Sequence, residues 1–178
     1  STWENTGLVF TPGQNRLINR LLVDPMNSNV FYAATSVGLY KSTDGGGNWS
    51  VISSNIYIDM EFKPGVSSII YGSTKQGDIY KSINSGTNWT QSLATSGKRT
   101  ELAVSPNDPT VVYALIAANN SELFGIYKST NSGTSFSVTY NTMNLLGWAC
   151  SGGDSGGQGW YDLCIAADPT NENTIFIG

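Results

Sequence analysis

A ten-residue motif occurs three times along this chain and limits what the chain can fold into. The copies span residues 40–49 (YKSTDGGGNW), 80–89 (YKSINSGTNW) and 127–136 (YKSTNSGTSF), and their starts lie 40 and 47 residues apart. Repeats with periods of roughly 20–50 residues are typical of arrays in which each supersecondary unit packs on its neighbours. The chain is therefore predicted to be a series of similar structural units.

A second landmark, centred on a proline, repeats out of phase with this motif at Pro25, Pro64, Pro106 and Pro169. Each proline is followed by a short β-branched and aromatic run. In the first unit the pattern predicts strands near 21–23, 30–35, 39–42 and 49–52, separated by turns rich in Pro, Asn and Gly. Four short strands in about 40–50 residues are typical of one propeller blade.

The predicted fold is an all-β propeller of four-stranded blades, here about three blades with a partial blade at each end. Residues 1–178 would form one incomplete propeller. A propeller closes its ring with about 4–8 blades, so the remaining blades of the same propeller are the expected partner, and a partner chain is the less favoured alternative. The predicted segments are the tail of a preceding blade at 1–10, blades at 11–54, 55–95 and 96–142, an inserted loop at 143–163 and the start of the next blade at 164–178.

Each residue type of the motif has a mechanical role. An Asp or Asn side chain accepts hydrogen bonds from backbone N–H groups of its own turn. Glycines adopt backbone angles that are closed to other residues, and the closing aromatic ring packs between neighbouring sheets. The motif is therefore predicted to be structural at Ser42, Asp44, Gly46, Trp49, Ser82, Asn84, Gly86, Trp89, Ser129, Asn131, Gly133 and Phe136.

The first copy matches the pattern Ser-x-Asp-x-Gly-x-x-Trp in full, and the other two match it with Asn for Asp and, at residue 136, Phe for Trp. The chain thus resembles Asp-box propellers, also called bacterial neuraminidase (BNR) repeat propellers. These include sortilin/VPS10-type receptors, xyloglucanase-like glycoside hydrolases and secreted bacterial proteins. The resemblance implies that the boxes are turns away from the ligand face. It also implies a secreted or cell-surface protein, of the bacterial extracellular kind.

Composition excludes several classes of function. The net charge is −4, with 9 basic and 13 acidic residues and no basic stripe, so no nucleic-acid partner is expected. No apolar run reaches the ~18 residues that span a bilayer, so no membrane span is expected. The chain contains no histidine, which removes Ser-His-Asp and Cys-His catalysis and His-based metal sites. Neither a cofactor nor a metal site is predicted.

The innermost strands carry a charged set of residues. The fifth residue before each landmark proline is Arg20, Asp59, Glu101 or Cys164, and the alternating residues that follow the first three, such as Leu21 and Val23, are apolar. This alternation places the charged residues on the face opposite the apolar ones. The carboxylates Asp59, Glu61 and Glu101 are candidate catalytic residues, because paired carboxylates catalyse glycoside hydrolysis. Arg20 and Arg99 are candidate ligand-binding residues. The favoured alternative is a salt-bridged channel wall without catalysis.

The resemblance to xyloglucanase-like hydrolases also supplies a test. Their first blade carries a motif similar to Arg-Thr-Asp-Val-Gly-Gly, in which the Asp is catalytic. The matching stretch here is residues 34–39 (ATSVGL), with Ser36 at the position of that Asp. A serine hydroxyl cannot act as the carboxylate base, so this chain is not expected to be an enzyme by itself.

An inserted segment separates the third and fourth units, since Pro106 and Pro169 lie 63 residues apart against 39 and 42 for the earlier pairs. Long loops in compact domains are often functional. Aromatic rings of the loop can stack on a sugar or a peptide, and its polar groups can orient that ligand. The predicted ligand-binding residues are Trp148, Asp154, Gln158, Trp160, Tyr161 and Asp162. The alternative, held equal, is a loop that only covers the channel mouth or a blade edge.

The two cysteines, Cys150 and Cys164, flank this loop. A disulfide between them is the favoured prediction and implies an oxidising compartment, whereas two free thiols are the alternative. The function predicted overall is a secreted or cell-surface binding or scaffold module for glycan or protein. The alternatives are part of a glycoside hydrolase acting on a polysaccharide and a sortilin-like peptide-binding propeller.

Overall fold

The computed structural model describes residues 5–10 and 13–178, and these residues form strands, turns and loops. Residues 1–4 of the predicted 1–10 segment and residues 11–12 of the predicted 11–54 blade lie outside this description. Within it, no helix is long and apolar enough to cross a membrane. The prediction of an all-β chain is confirmed.

In residues 5–10 and 13–178, fourteen strands form three four-stranded antiparallel sheets and one two-stranded sheet, and within each sheet every strand pairs with the next in the chain. The first sheet contains β1 (Ile18–Val23), β2 (Phe31–Thr35), β3 (Gly38–Ser42) and β4 (Ser50–Ser53). The second contains β5 (Tyr57–Lys63), β6 (Val66–Thr74), β7 (Ile79–Ser82) and β8 (Thr90–Leu93). The third contains β9 (Thr100–Val104), β10 (Val112–Ala117), β11 (Leu123–Ser129) and β12 (Ser137–Tyr140), and the last contains β13 (Ile165–Ala167) and β14 (Ile175–Ile177).

The first strand of every sheet lies beside the first strand of the next. Strand β1 contacts β5, β5 contacts β9, and β9 contacts β13. The four inner strands therefore follow one another around a common centre, while the later strands of each sheet extend outward. This arrangement brings residues that are about 40 residues apart in sequence into one place.

Apolar clusters fill the space between successive sheets. The cluster between the first and second sheets includes Tyr32, Leu39, Tyr57, Met60 and Ile70, none more than 1% exposed. The next two clusters centre on Tyr71, Ile79, Leu102, Val112 and Ile116, and on Val111, Tyr113, Leu115, Leu146 and Leu163. The last cluster draws Leu146 and Leu163 from the long loop before β13, so part of that loop is core.

The three motif copies form the same turn after β3, β7 and β11. In each copy a buried serine accepts the backbone N–H of the motif glycine four residues later at 2.9 Å. The Asp44 carboxylate also accepts the backbone N–H of Asn48 at 2.8 Å, and this contact together with the Asn48 side chain lowers the pKa of Asp44 to about 2. Asn84 and Asn131 accept the equivalent N–H groups. These side chains take up turn donors and are not free for a ligand.

The second and third of these turns pack against the preceding sheet. Gly86 has φ +81°, and a Cβ built on it would lie 2.9 Å from Ile52 of the first sheet. Gly133 has φ +67°, and its Cβ would lie 2.5 Å from the ring of Tyr71 in the second sheet. Both positions require glycine because the backbone is left-handed and the neighbouring side chain leaves no room.

One face of the first sheet and one face of the last sheet are exposed, whereas the equivalent faces of the other sheets are buried. Leu21 of β1 is 54% exposed, whereas Met60, at the same place before its proline, is 0% exposed. Phe176 of β14 is 60% exposed, whereas the matching Tyr71 is 0% exposed. These exposed faces have the apolar side chains that pack between sheets elsewhere in the molecule.

Candidate functional site

A cleft of about 880 Å³ opens where the inner strands begin. It is lined by residues just before or within the starts of β1, β5 and β9, by the turns between second and third strands, and by the loop before β13. The propeller-like succession of inner strands therefore gathers these chain segments at one site. Side chains that line the cleft include Asn19, Arg20, Ser36, Asp59, Lys75, Arg99, Glu101 and Trp160.

Asp59 ties three inner strands together from a position that is 2% exposed. Its Oδ2 accepts the backbone N–H of Leu102 on β9 at 2.8 Å, and its Oδ1 lies 3.2 Å from Nε of Arg20 on β1. The Arg20 contact is an ion pair without hydrogen-bond geometry. Burial raises the pKa of Asp59, while Leu102 N–H and Arg20 oppose that rise. A carboxylate held on both oxygens is suited to joining strands.

Glu61 shares Arg20 with Asp59. Its Oε1 accepts a hydrogen bond from Nη2 of Arg20, whose side chain is 40% exposed. Burial, and secondly the negative charge of Asp59, raise the pKa of Glu61 to about 7.

Glu101 and Arg99 form the second pair of the cleft, both on or just before β9. Glu101 Oε1 accepts from Nε and Nη2 of Arg99 at 3.0 and 2.9 Å. Burial, with a further contribution from the charge of Asp59, raises the pKa of Glu101 to about 7 in spite of Arg99. Two carboxyl groups that hold a proton near neutral pH meet the electrostatic requirement for a general acid.

These two raised pKa values predict that Glu61 and Glu101 destabilise the fold as the pH rises through neutrality. Below pH 4.5 the contribution of Glu61 and Glu101 is fully present, and it is lost as the pH rises through about 7, because the unfolded chain gives up these protons first. We expect the free energy of unfolding to fall by roughly 5 kcal/mol between pH 5 and pH 8 for the pair. Urea unfolding across this range measures the slope.

The double variant Glu61→Gln/Glu101→Gln is expected to flatten that slope, and Glu172→Gln, outside the cleft, is the control. A double variant with the same pH dependence as the original protein would contradict the assignment.

Ser36 lies in the cleft, in the turn between β2 and β3. Its Oγ accepts the backbone N–H of Leu17 at 3.0 Å, and its own N–H donates to the Leu17 carbonyl at 2.9 Å. The residue therefore occupies a ligand-facing position but serves to fix the segment before β1. The site has a hydroxyl, and not a carboxylate, at this point.

The long loop places its predicted ligand residues in different locations. Trp160 lines the cleft and packs against Tyr161 with ring centroids 5.1 Å apart and planes tilted by 47°. Both rings are 68% exposed. Gln158 and Asp162 line a separate pocket of about 170 Å³. In the part of the chain that the structure describes, Trp160 is the only predicted loop residue that lines the cleft, and Tyr161 lies beside it.

Asp154 and Trp148 belong to another turn of the same loop. Asp154 Oδ2 accepts the backbone N–H groups of Trp148 and Ala149, the second at 3.0 Å. The Trp148 ring is 66% exposed and lines neither pocket. The structure therefore gives Asp154 a turn contact and leaves Trp148 apart from the cleft.

The predicted disulfide is wrong: Cys150 and Cys164 are both free and exposed. Cys164 exchanges two backbone hydrogen bonds with Gly178, at 2.8 and 3.1 Å, which extend the β13–β14 pairing. Cys150 lies in a turn closed by a 2.9 Å bond from Gly152 N–H to the Ala149 carbonyl. Each thiol is held by a different backbone segment, and hydrogen bonds fix the loop instead. The argument for an oxidising compartment from these cysteines is lost.

The sequence interpretation missed Lys75 and Asn19 as cleft residues. Lys75 follows β6 in the second sheet as Ser36 follows β2 in the first, so an alignment of the units identifies it. Asn19 donates from Nδ2 to the Tyr57 carbonyl at 2.8 Å and links the starts of two inner strands. No sequence signal marks Asn19, because its role depends on the neighbouring unit.

No family model matches the sequence. A search of curated proteins finds a xyloglucanase of Hypocrea jecorina (strain QM6a), 33% identical over 144 residues, which cover 78% of this chain. The chain spans only 15% of the length of that relative.

Solved structures match the fold at lower identity. An ancestral GH74 enzyme has a TM-score of 0.60 at 20% identity, covering 86% of this chain and 21% of that one. The GH74 enzyme of Niastella koreensis has a TM-score of 0.55 at 20% identity, covering 69% of this chain and 22% of that one. YCF48 from Cyanidioschyzon merolae has a TM-score of 0.52 at 15% identity, covering 75% and 40%. The chain therefore has the fold of a partial β-propeller, as the repeats predicted.

Proposed function

We propose that this chain is part of an Asp-box propeller of the xyloglucanase-like kind and that its cleft binds a neutral polysaccharide. Support comes from the 33% identity to a xyloglucanase and from the composition of the cleft wall. The binding role is favoured over hydrolysis by this segment, because Ser36 stands where the resembled hydrolases have an acid.

The observation that carries the proposal is the exposed pair of rings at the cleft edge. Trp160 and Tyr161 present large apolar faces directly beside hydrogen-bonding groups. Sugar rings have apolar C–H faces and hydroxyl edges, so they match a site that offers an aromatic surface and a few polar groups.

The charges of the cleft favour an uncharged ligand. Arg20 is engaged by Asp59 and Glu61, and Arg99 is engaged by Glu101. Because both arginines are already paired with carboxyl groups, a charged ligand that bound either of them would have to displace an internal partner. Hydroxyl groups of a neutral glycan can form hydrogen bonds with the carboxyl and guanidinium groups of these pairs without separating them.

Further blades are the proposed partner of the exposed outer faces. Leu21 and Phe176 occupy positions that are buried by an adjacent sheet in the rest of the molecule. Packing of similar sheets against them would extend the succession of inner strands. A secreted or cell-surface location follows from the proposed ligand, because structural polysaccharides are found outside cells.

The test is binding of a xyloglucan oligosaccharide by calorimetry. We expect Trp160→Ala to weaken binding at least tenfold, about 1.4 kcal/mol, because the stacking surface is lost. Trp148→Ala is the matched control, since Trp148 is equally exposed but outside the cleft. Equal effects of the two variants would contradict the proposal. Binding of a peptide in place of the oligosaccharide would favour the sortilin-like alternative.

Hydrolysis of the bound glycan is a second candidate, favoured by the pKa values of about 7 for Glu61 and Glu101. A protonated carboxyl in a glycan cleft can donate to the leaving oxygen. Glu101→Gln would then lower the turnover of xyloglucan by at least a hundredfold with little change in affinity. A parallel loss of affinity and turnover would identify Glu101 as a binding group.

A further inference from the structure

We infer that Arg99 is a positioning residue that fixes the aromatic platform, defined as the rings of Trp160 and Tyr161, over the cleft as a preformed sugar-stacking subsite. This inference rests on the proposed function for the identity of the ligand. The loop that carries the two rings is attached to the inner strand β9 whatever the ligand is.

The guanidinium of Arg99 joins the platform to β9. Its Nη1 donates to the carbonyl oxygens of Trp160, at 3.2 Å, and Tyr161. Its Nε and Nη2 donate to Glu101 Oε1. The planar fork of arginine can bond a carboxylate on one edge while another N–H reaches backbone carbonyls. Residues 61 and 62 positions apart in sequence are thereby connected through one side chain.

The turn that carries Trp160 and Tyr161 is also attached to the loop between β10 and β11, on the side away from Arg99. The N–H of Gly159 donates to the Ser121 carbonyl at 3.2 Å, in the loop between β10 and β11. Tyr161 N–H closes the turn on the Gln158 carbonyl at 2.8 Å. These bonds shape the turn and hold one end of it, whereas Arg99 holds the backbone that carries the two rings.

Packing does not immobilise the rings themselves, because both are 68% exposed. A ligand that stacks on a loose loop must order it on binding, and that ordering reduces affinity. Arg99 removes this cost by fixing the backbone beforehand. Glu101 in turn orients Arg99, because its Oε1 accepts hydrogen bonds from both Nε and Nη2 of the guanidinium.

The platform geometry indicates the class of ligand. Two adjacent ring faces tilted by 47° suit successive units of a neutral pyranose chain, one stacked on each ring. A single monosaccharide would use only one face. We therefore expect an oligosaccharide to depend on Arg99 more strongly than a monosaccharide does.

The experiment compares Arg99→Gln and Arg99→Lys with the control Arg16→Gln, an exposed arginine outside the cleft. Two quantities are measured: hydrogen exchange of the amides of 158–162, and affinity for a xyloglucan oligosaccharide. Arg99→Gln is expected to speed exchange in this turn at least tenfold and to weaken binding at least fivefold, with the melting temperature unchanged within two degrees. Arg99→Lys is expected to lie between, because an ammonium cannot bond both carbonyls and Glu101 in one plane. In the double variant with Trp160→Ala, Arg99→Gln should add a smaller loss of affinity than it causes by itself, because only the Tyr161 ring is left to position.

The outcomes separate the two proposals. Unchanged exchange and affinity in Arg99→Gln would overturn the positioning role while leaving the effect of Trp160→Ala as support for glycan binding. Weaker binding with unchanged exchange would also overturn it, because Arg99 would then contact the ligand directly. Faster exchange in a protein that binds no oligosaccharide would support the positioning role and reject the proposed function.

Discussion

Met60→Ala is expected to lower the free energy of unfolding by about 2–5 kcal/mol, the usual range for truncating a buried Met or Leu. Met60 is 0% exposed and lies in the cluster between the first and second sheets, beside Tyr32 and Tyr57. The substitution leaves a cavity that two rigid sheets cannot close. Equilibrium unfolding in urea measures the effect.

Leu21→Ala is the matched control, because Leu21 holds the same position in the first sheet but is 54% exposed. Its truncation should change the stability of this chain by less than about 0.5 kcal/mol. In a protein where another sheet covers that face, the cost should rise towards the Met60→Ala value. Similar costs for both variants in the chain by itself would contradict the assignment of an open face.

Asp59→Ala is expected to cost about 1–3 kcal/mol, as leaving a buried donor without its acceptor does. The substitution leaves Leu102 N–H without its acceptor and removes the ion pair to Arg20, so two connections between inner strands are lost. Asp59→Asn should cost less, because an amide oxygen can still accept the Leu102 N–H.

Asp162→Ala provides the control for removing an exposed acid from the same protein and should have little effect. A cost below 1 kcal/mol for Asp59→Ala would show that the buried carboxylate does not join the strands. Loss of glycan binding without loss of stability would instead assign Asp59 to the ligand.

The aromatic residue that closes the motif has the same place in each copy, but the motif does not predict which neighbouring residues its ring contacts. Trp89 and Phe136 pack in the clusters between sheets, as the pattern predicted. Trp49 makes an edge contact with Phe31 of its own sheet at 6.4 Å, and it lies on the side where no full sheet precedes. The three rings are all partly buried, and the adjoining sheet decides which side chains each ring contacts.

For the candidate site, too, the sequence predicted which residues lie on the inner strands but not how they pair. Alternation along the inner strands predicted the charged set Arg20, Asp59, Glu61 and Glu101, because a period of two separates the faces of a strand. It did not predict that Arg20 pairs with both acids of the next sheet, or that Asp59 accepts a backbone N–H from the sheet beyond. Pairing across sheets depends on how successive inner strands are offset, and no single strand encodes that offset.

The repeating unit of this protein, with four short strands, a serine-centred turn and a period of about 40 residues, can be predicted from the amino-acid sequence, because hydrogen bonds within a hairpin are local. Tertiary structure decided which loop residues meet. It brought Trp160 and Tyr161 to the cleft through Arg99, moved Gln158 and Asp162 to another pocket, and left Cys150 and Cys164 as free thiols. A loop without periodicity is positioned by contacts with distant strands, and those contacts exist only once the sheets have packed.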